Sequence, residues 1–304
     1  MKQLLILSGK GGTGKTTVAS AFIKLSEAKA YADCDVDAPN LHLITEWTTQ
    51  PEKKDYYGLD VAKIRNDLCI QCGQCETHCR FDAISCDAIS CDDVDNDVDN
   101  GAYVVNPYAC EGCGVCEYVC PVGAIKMVPK IAGEMMLYKD DENVFSTAQL
   151  EMGSGTSGLL VTEVKKRMVA NTDDAPLAII DGSPGIGCPV IASLSGVDMV
   201  LVVAEPSLSG MSDMERIIQM AERSRTKIAV CVNKYDTGIE NTEKIEAFCK
   251  EQALPFVGRI PFDKDAVKAI NHGKTIVDID CASGRAVKKV YDKTINILFE
   301  HGGQ

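Results

Sequence analysis

An apolar run, Leu4-Leu5-Ile6-Leu7, leads directly into Gly9-Lys10-Gly11-Gly12-Thr13-Gly14-Lys15-Thr16-Thr17. The pattern G-x-x-x-x-G-K-[ST] after a buried strand requires a strand, a tight loop and a helix, in that order. The chemistry follows from the residue types. Glycines let backbone N–H groups close around phosphate oxygens, Lys15 reaches the outer phosphates, and the Thr16 hydroxyl faces a Mg²⁺ ion. The positive end of the following helix adds to the attraction. Residues 11–17 are therefore expected to bind nucleotide. Lys10 is a second lysine, inside the loop, that the general pattern does not need.

Downstream, strand-like runs recur at 3–8, 176–181, 198–204, 227–232 and 255–260. Amphipathic stretches at 210–223, 240–252 and 284–299 lie between or after them, with apolar residues at three- and four-residue spacing. This alternation predicts an α/β fold, a doubly wound, mainly parallel sheet with helices on both faces. At 304 residues the chain suits one large domain or two unequal ones. Its formal charge of −13 argues against the basic stripe of a nucleic-acid binder and disfavours anionic membranes. Met1-Lys2-Gln3 runs straight into the first strand, and no apolar stretch is long enough to span a bilayer, so a cytoplasmic protein is expected.

Between about 58 and 130 the pattern changes to loop-rich sequence with two cysteine runs, which predicts an inserted domain flanked by two parts of the first, 1–57 and 131–304. The 15 cysteines of the chain, in a reducing compartment, are read first as metal or Fe–S ligands. Cys69-x2-Cys72-x2-Cys75-x3-Cys79 and Cys110-x2-Cys113-x2-Cys116-x3-Cys120-Pro121 are two copies of the bacterial ferredoxin run, whose fourth cysteine serves the other cluster. That rule assigns Cys69, Cys72, Cys75 and Cys120 to one [4Fe–4S] cluster and Cys110, Cys113, Cys116 and Cys79 to a second. Four-cysteine sets also make zinc sites; the repeated spacing favours clusters. Arg80 stands where a proline is expected after the fourth cysteine. Asp82-Ala-Ile-Ser-Cys86 is repeated at once as 87–91, before an Asp-rich link at 92–99. Cys86 and Cys91 in that tandem match no ligand position.

Two acidic turns end predicted strands. The first, Ala32-Asp33-Cys34-Asp35-Val36-Asp37, offers carboxylates to position an attacking water. The second, Asp181-Gly182-Ser183-Pro184-Gly185, has the Walker-B form, an aspartate that reaches Mg²⁺ through water, followed by glycines that permit a switch. Val232-Asn233-Lys234 ends another strand where a base would lie, and the Asn233 amide is placed to pair with adenine.

With Lys10, Lys15, Asp35, Asp181 and the cysteine runs in place, nearly the whole chain resembles the MinD/ParA-type ATPases, in the branch carrying an inserted two-cluster ferredoxin domain. Relatives include the nitrogenase iron protein and Fe–S cluster carrier ATPases. The resemblance implies ATP and Mg²⁺ as ligands, with Lys10 reaching the partner's nucleotide across an ATP-dependent homo- or heterodimer. It also implies Asp35 as the catalytic switch I aspartate and Asp181 as the Walker-B residue. The expected partner is a metalloprotein or redox protein, with neither nucleic acid nor membrane bound. Cys188, seven residues after Asp181, resembles the cysteine with which the iron protein holds a bridging cluster, but Gly153–Gly158 lacks the second cysteine such a site needs. In the resembled family MinD binds membrane through a terminal amphipathic helix; in the stretch 287–299 here, Lys288, Lys289 and Asp292 mark an ordinary solvated face, and its apolar side is expected to pack on the sheet. His42, His78, His272 and His301 share no ligand spacing. Three functions fit: Fe–S or metal cluster assembly or delivery to a partner, ATP-gated electron transfer through the insert, and complex positioning with structural or redox-sensing clusters.

Overall fold

Uninterrupted apolar runs form the centre of the molecule because both faces of the sheet are covered. In the computed structural model, which describes residues 1–45, 47, 49–86 and 103–300, the strands are β1 (Lys2–Leu7), β2 (Ala30–Asp33), β3 (Glu52–Tyr57), β4 (Val61–Ile64), β5 (Ile84–Cys86), β6 (Tyr103–Val105), β7 (Ile125–Val128), β8 (Ile131–Lys139), β9 (Val144–Leu150), β10 (Leu177–Asp181), β11 (Met199–Ala204), β12 (Lys227–Asn233) and β13 (Phe256–Ile260). The helices are α1 (Lys15–Ser26), α2 (Gln74–Thr77), α3 (Val115–Val119), α4 (Ser157–Asn171), α5 (Cys188–Leu194), α6 (Leu208–Arg223), α7 (Ile239–Glu251), α8 (Lys264–Asn271) and α9 (Ala282–Phe299). The second pentapeptide copy with Cys91, the Asp-rich link and His301 lie outside the described residues.

Two compact units divide the chain. The first holds 1–54, 135–149 and 157–304; the second holds 55–134 and also 150–156, a stretch beyond the 58–130 segment marked by composition. The large sheet has nine strands in the order β13-β12-β11-β1-β10-β2-β9-β8-β3. From β13 to β9 every pairing is parallel. In β11 all six residues are buried, and β1 is buried from Leu4 to Leu7. Because β1 sits between β10 and β11, its carboxyl end marks the crevice where an open α/β sheet binds ligands.

Helix α9 lays its apolar face on the core. Val287, Val290 and Leu298 are buried in the core of this unit, and Tyr291 meets Phe22 of α1 edge-on at 5.2 Å. Burial against the protein uses the apolar face that a lipid surface would need. No described helix is long and apolar enough to cross a membrane.

The second unit is built from two antiparallel ribbons, β4 with β7 and β5 with β6. They follow from an internal repeat with a constant offset of 41 residues, from Cys69 to Cys110. Each half lends a strand to the other, so that Arg65 N–H donates to Ala124 O at 2.8 Å while Asn106 N–H donates to Ala83 O at 2.7 Å. Left-handed backbone recurs at equivalent places: Gln71 and Gly112, Gly73 and Gly114, Asp82 and Gly123. Gln71 and Asp82 carry the strain of a side chain there, of order 1 kcal/mol.

Candidate nucleotide site and cysteine cavities

Helix α1 is preceded at its N-cap by Gly14, in left-handed backbone and without a side-chain cap. The first N–H groups of the helix are thus left for a ligand. A Cβ at Gly14 would run into the Asn233 amide nitrogen, which fixes glycine there. The loop is braced from β12: Asn233 Nδ2 donates to Thr13 O at 2.6 Å, and Lys234 Nζ donates to Gly12 O at 2.8 Å. Asn233 lines the cleft, and one N–H of its amide serves the loop. The cleft measures about 620 Å³ and runs from the loop past Asp35 and Asp37 to an apolar end at Ile260, Phe262, Val267 and Ile276. Polar groups at one end and hydrocarbon at the other suit a phosphate tail and a flat base.

Lys15 is 6% exposed and donates to Asp181 Oδ1 at 2.5 Å, while Thr16 Oγ1 donates to Asp181 Oδ2 at 2.6 Å. Asp35 stands 3.9 Å from the same ammonium. The sequence singles out Asp35 and Asp181 and gives Asp33, in the same acidic turn, no separate role. This fully buried carboxylate accepts backbone N–H bonds from Asp35, Asn40 and Leu41, each at 3.0 Å. It therefore shapes the whole 35–41 turn from below. Its signal was available, since Asp33 ends a buried strand just as Asp181 does, and the two are paired in the β2–β10 ladder.

Three carboxylates thus surround one lysine. Burial, reinforced by the charge of Asp181, pushes Asp33 up to about 7, and burial pushes Asp35 up to about 6. The Lys15 ammonium is held above its usual range by Asp181 and Asp33, which outweigh the effect of its own burial. A cluster with more carboxylates than cations suits a divalent cation, and the Thr16 hydroxyl and the Asp181 carboxylate lie together in it.

Lys10 is turned toward the start of α6, where Nζ lies 3.0 Å from Glu205 Oε2 and 3.3 Å from both Ser207 Oγ and Ser209 Oγ. The switch region after β10 is tied to the first acidic turn twice: Cys34 N–H donates to Asp181 O at 2.7 Å, and the Ser183 hydroxyl donates to Cys34 O. Beyond Gly185, in left-handed backbone, α5 begins with exposed Cys188. Its far end is anchored by a residue sequence reasoning missed. Lys165 of α4, 7% exposed, donates to Ser193 O and Ser195 O, each at 2.6 Å, and so caps the last carbonyls of α5. Its signal was weak, a lone lysine on a helix.

In the second unit, Cys69, Cys72, Cys75 and Cys120 line one small cavity, and Cys79, Cys110, Cys113 and Cys116 line another. Each takes three cysteines from one run and the fourth from the other. Among the described residues no group of three or more His, Cys, Asp or Glu side chains is drawn together as a closed metal-ion site. Backbone N–H groups of Gln71, Ala83 and Ala124 donate to the sulfurs of Cys69, Cys79 and Cys120 at 3.2–3.4 Å. His78 and His272 are occupied locally, each ring at hydrogen-bond distance from a carbonyl one helical turn back.

Residues 4–276 match the model of the CobQ/CobB/MinD/ParA nucleotide-binding domain. An uncharacterised protein of Methanocaldococcus jannaschii is 31% identical over 297 residues, 96% of this chain and 95% of its own. An iron–sulfur cluster carrier protein of Pyrococcus abyssi is 23% identical, over 99% of this chain and 88% of its own. The septum site-determining protein MinD of Pyrococcus horikoshii, solved with Mg-ADP, shares the fold with a TM-score of 0.56 at 16% identity, covering 99% of both chains. The chain is a P-loop ATPase of the CobQ/CobB/MinD/ParA family.

Proposed function

We propose that this ATPase is an iron–sulfur protein in which ATP-driven dimerisation governs what two resident [4Fe–4S] clusters do for a metalloprotein or redox partner. The observation that carries the reading is the pair of cavities, each lined by four cysteines in the crossed sets. The residues fit such a group: four thiols per cavity, N–H donors aimed at three of the sulfurs, and left-handed loop positions that let the chain wrap closely. When bound, such clusters supply one-electron storage. In the first unit, Lys15 and the loop N–H groups hold the phosphates, Thr16 and Asp181 hold Mg²⁺, and Asp35 orients the attacking water. Lys10, on leaving Glu205, reaches the nucleotide of the facing subunit.

Two uses of the clusters differ in their support. Delivery to a partner draws on the 23% identical relative named as an iron–sulfur cluster carrier. Gated electron transfer draws on the interlocking of the cysteine sets, because release of either cluster requires both halves of the repeat to let go. We favour electron transfer on that ground. Incubation of the cluster-loaded protein with ATP and an apo-acceptor, following iron, distinguishes them. Clusters that stay in place while a partner is reduced in an ATP-dependent manner support the favoured reading; transfer of iron and sulfide, stopped by Lys15→Ala, overturns it.

A further inference from the structure

The two cysteine cavities come from one repeated backbone, so what distinguishes them must lie in their side chains. Repeated hydrogen bonds show how closely the halves agree: Cys69 N–H to Arg65 O and Cys110 N–H to Asn106 O are both 3.1 Å, and so are Thr77 N–H to Gly73 O and Tyr118 N–H to Gly114 O. Around the sulfurs the linings then part. Inside the first Cys-x-x-Cys loop stands Ile70; at the equivalent place in the second stands Glu111. Glu111 is the single charged residue among those lining either cavity, and its carboxylate lies beside Gly155, where an added Cβ would meet Glu111 Oε2 at 3.0 Å. Arg80, Glu117 and Lys126 lie outside both linings, and the latter two pair with each other at 3.4 Å. Among the described residues the first cavity also has two N–H donors on its sulfurs, from Gln71 at 3.4 Å and Ala124 at 3.2 Å, against one in the second, from Ala83 at 3.4 Å.

We infer that the two sites are unequal as electron acceptors, Glu111 making the Cys110 site the harder to reduce and Ile70 leaving the Cys69 site the easier. This rests on the reading that each cavity holds a [4Fe–4S] cluster. The physics is simple. An added electron makes a cluster more negative; a carboxylate on the loop that holds it opposes that charge, and N–H donors to sulfur favour it. Because Glu111 is exposed, solvent screens the effect and keeps it moderate. An electron entering this unit would accordingly rest on the Cys69 site.

A redox titration of the anaerobically purified full chain, followed by electron paramagnetic resonance, tests the assignment, with Cys113→Ser identifying the Cys110 signal. The wild-type chain should show two unequal couples. Glu111→Ile should raise only the Cys110 couple, by roughly three- to tenfold in electron partition, where tenfold is about 59 mV for one electron. Ile70→Glu should lower only the Cys69 couple. Iron analysis separates the two levels of the claim. With about eight Fe per chain and equal couples, or with Glu111→Ile moving neither, the inference falls and the cluster reading stands. A chain that lacks iron or binds zinc overturns both.

Discussion

The two units reach their sites by opposite routes. In the nucleotide unit the loop and carboxylates sit on strand ends already fixed by a core that includes Leu4, Ile6, Phe22, Ile179 and Leu201. In the cysteine unit the buried apolar cluster is Ala62, Cys75, Ile84, Cys116 and Ile125, so that two of its members are themselves expected ligands. A fold held by burial presents a finished site. A fold with so small a core needs a staple, and under the proposed function the staple and the site are the same atoms.

The strongest way to break that contrast is to remove the ligands. Chelation of iron, or Cys75→Ser, should abolish hydrogen-exchange protection in β4 and β7 while β1 and β11 keep theirs; equal loss in both units would end the distinction. Next in size, Lys15→Ala should lower kcat for ATP hydrolysis by about 10²–10³-fold and leave the iron content unchanged. A smaller effect is expected at Lys165. Replacing it with Met strands buried carbonyls of α5 and should destabilise the nucleotide unit by about 2–3 kcal/mol in urea titration, with no change in the cluster spectrum.

The smallest effect is a pH slope. Asp33, pushed up to about 7, and Asp35, up to about 6, keep protons in the folded chain that the unfolded chain releases near 3.8. The folded state therefore binds more protons between roughly pH 4 and 7. Stability must fall as pH rises through that window. Asp33→Asn should flatten the slope of the nucleotide-free protein, and saturating Mg²⁺ with nucleotide should do the same by favouring the ionised carboxylates. An unaltered slope in Asp33→Asn would remove Asp33 from the cluster that sets it.

The same contrast explains what was legible in sequence. The periodic strands at 198–204 and 227–232 and the helix at 210–223 announce themselves, because burial on both faces or along one stripe leaves a local pattern. The phosphate loop and the cysteine runs are equally local, their chemistry set by spacing along the chain. Residues acting across the fold leave no such pattern. Asp33 does its work through N–H groups up to eight residues away, and Lys165 through carbonyls on another helix. Lys10 was read from its place in the loop, but its contact with Glu205 depends on where α6 begins. The tie of 150–156 to the cysteine unit likewise comes from packing across a long separation in sequence.

The central claim is that the crossed cysteine sets hold two clusters within one ATPase. Iron and sulfide analysis of the anaerobically purified Cys120→Ser chain beside the parent tests it most directly. The account predicts about eight Fe in the parent and, in the variant, loss or conversion of the Cys69 cluster with the Cys110 cluster spectroscopically intact. Loss of the Cys110 cluster instead, or a parent loaded with zinc, would contradict it.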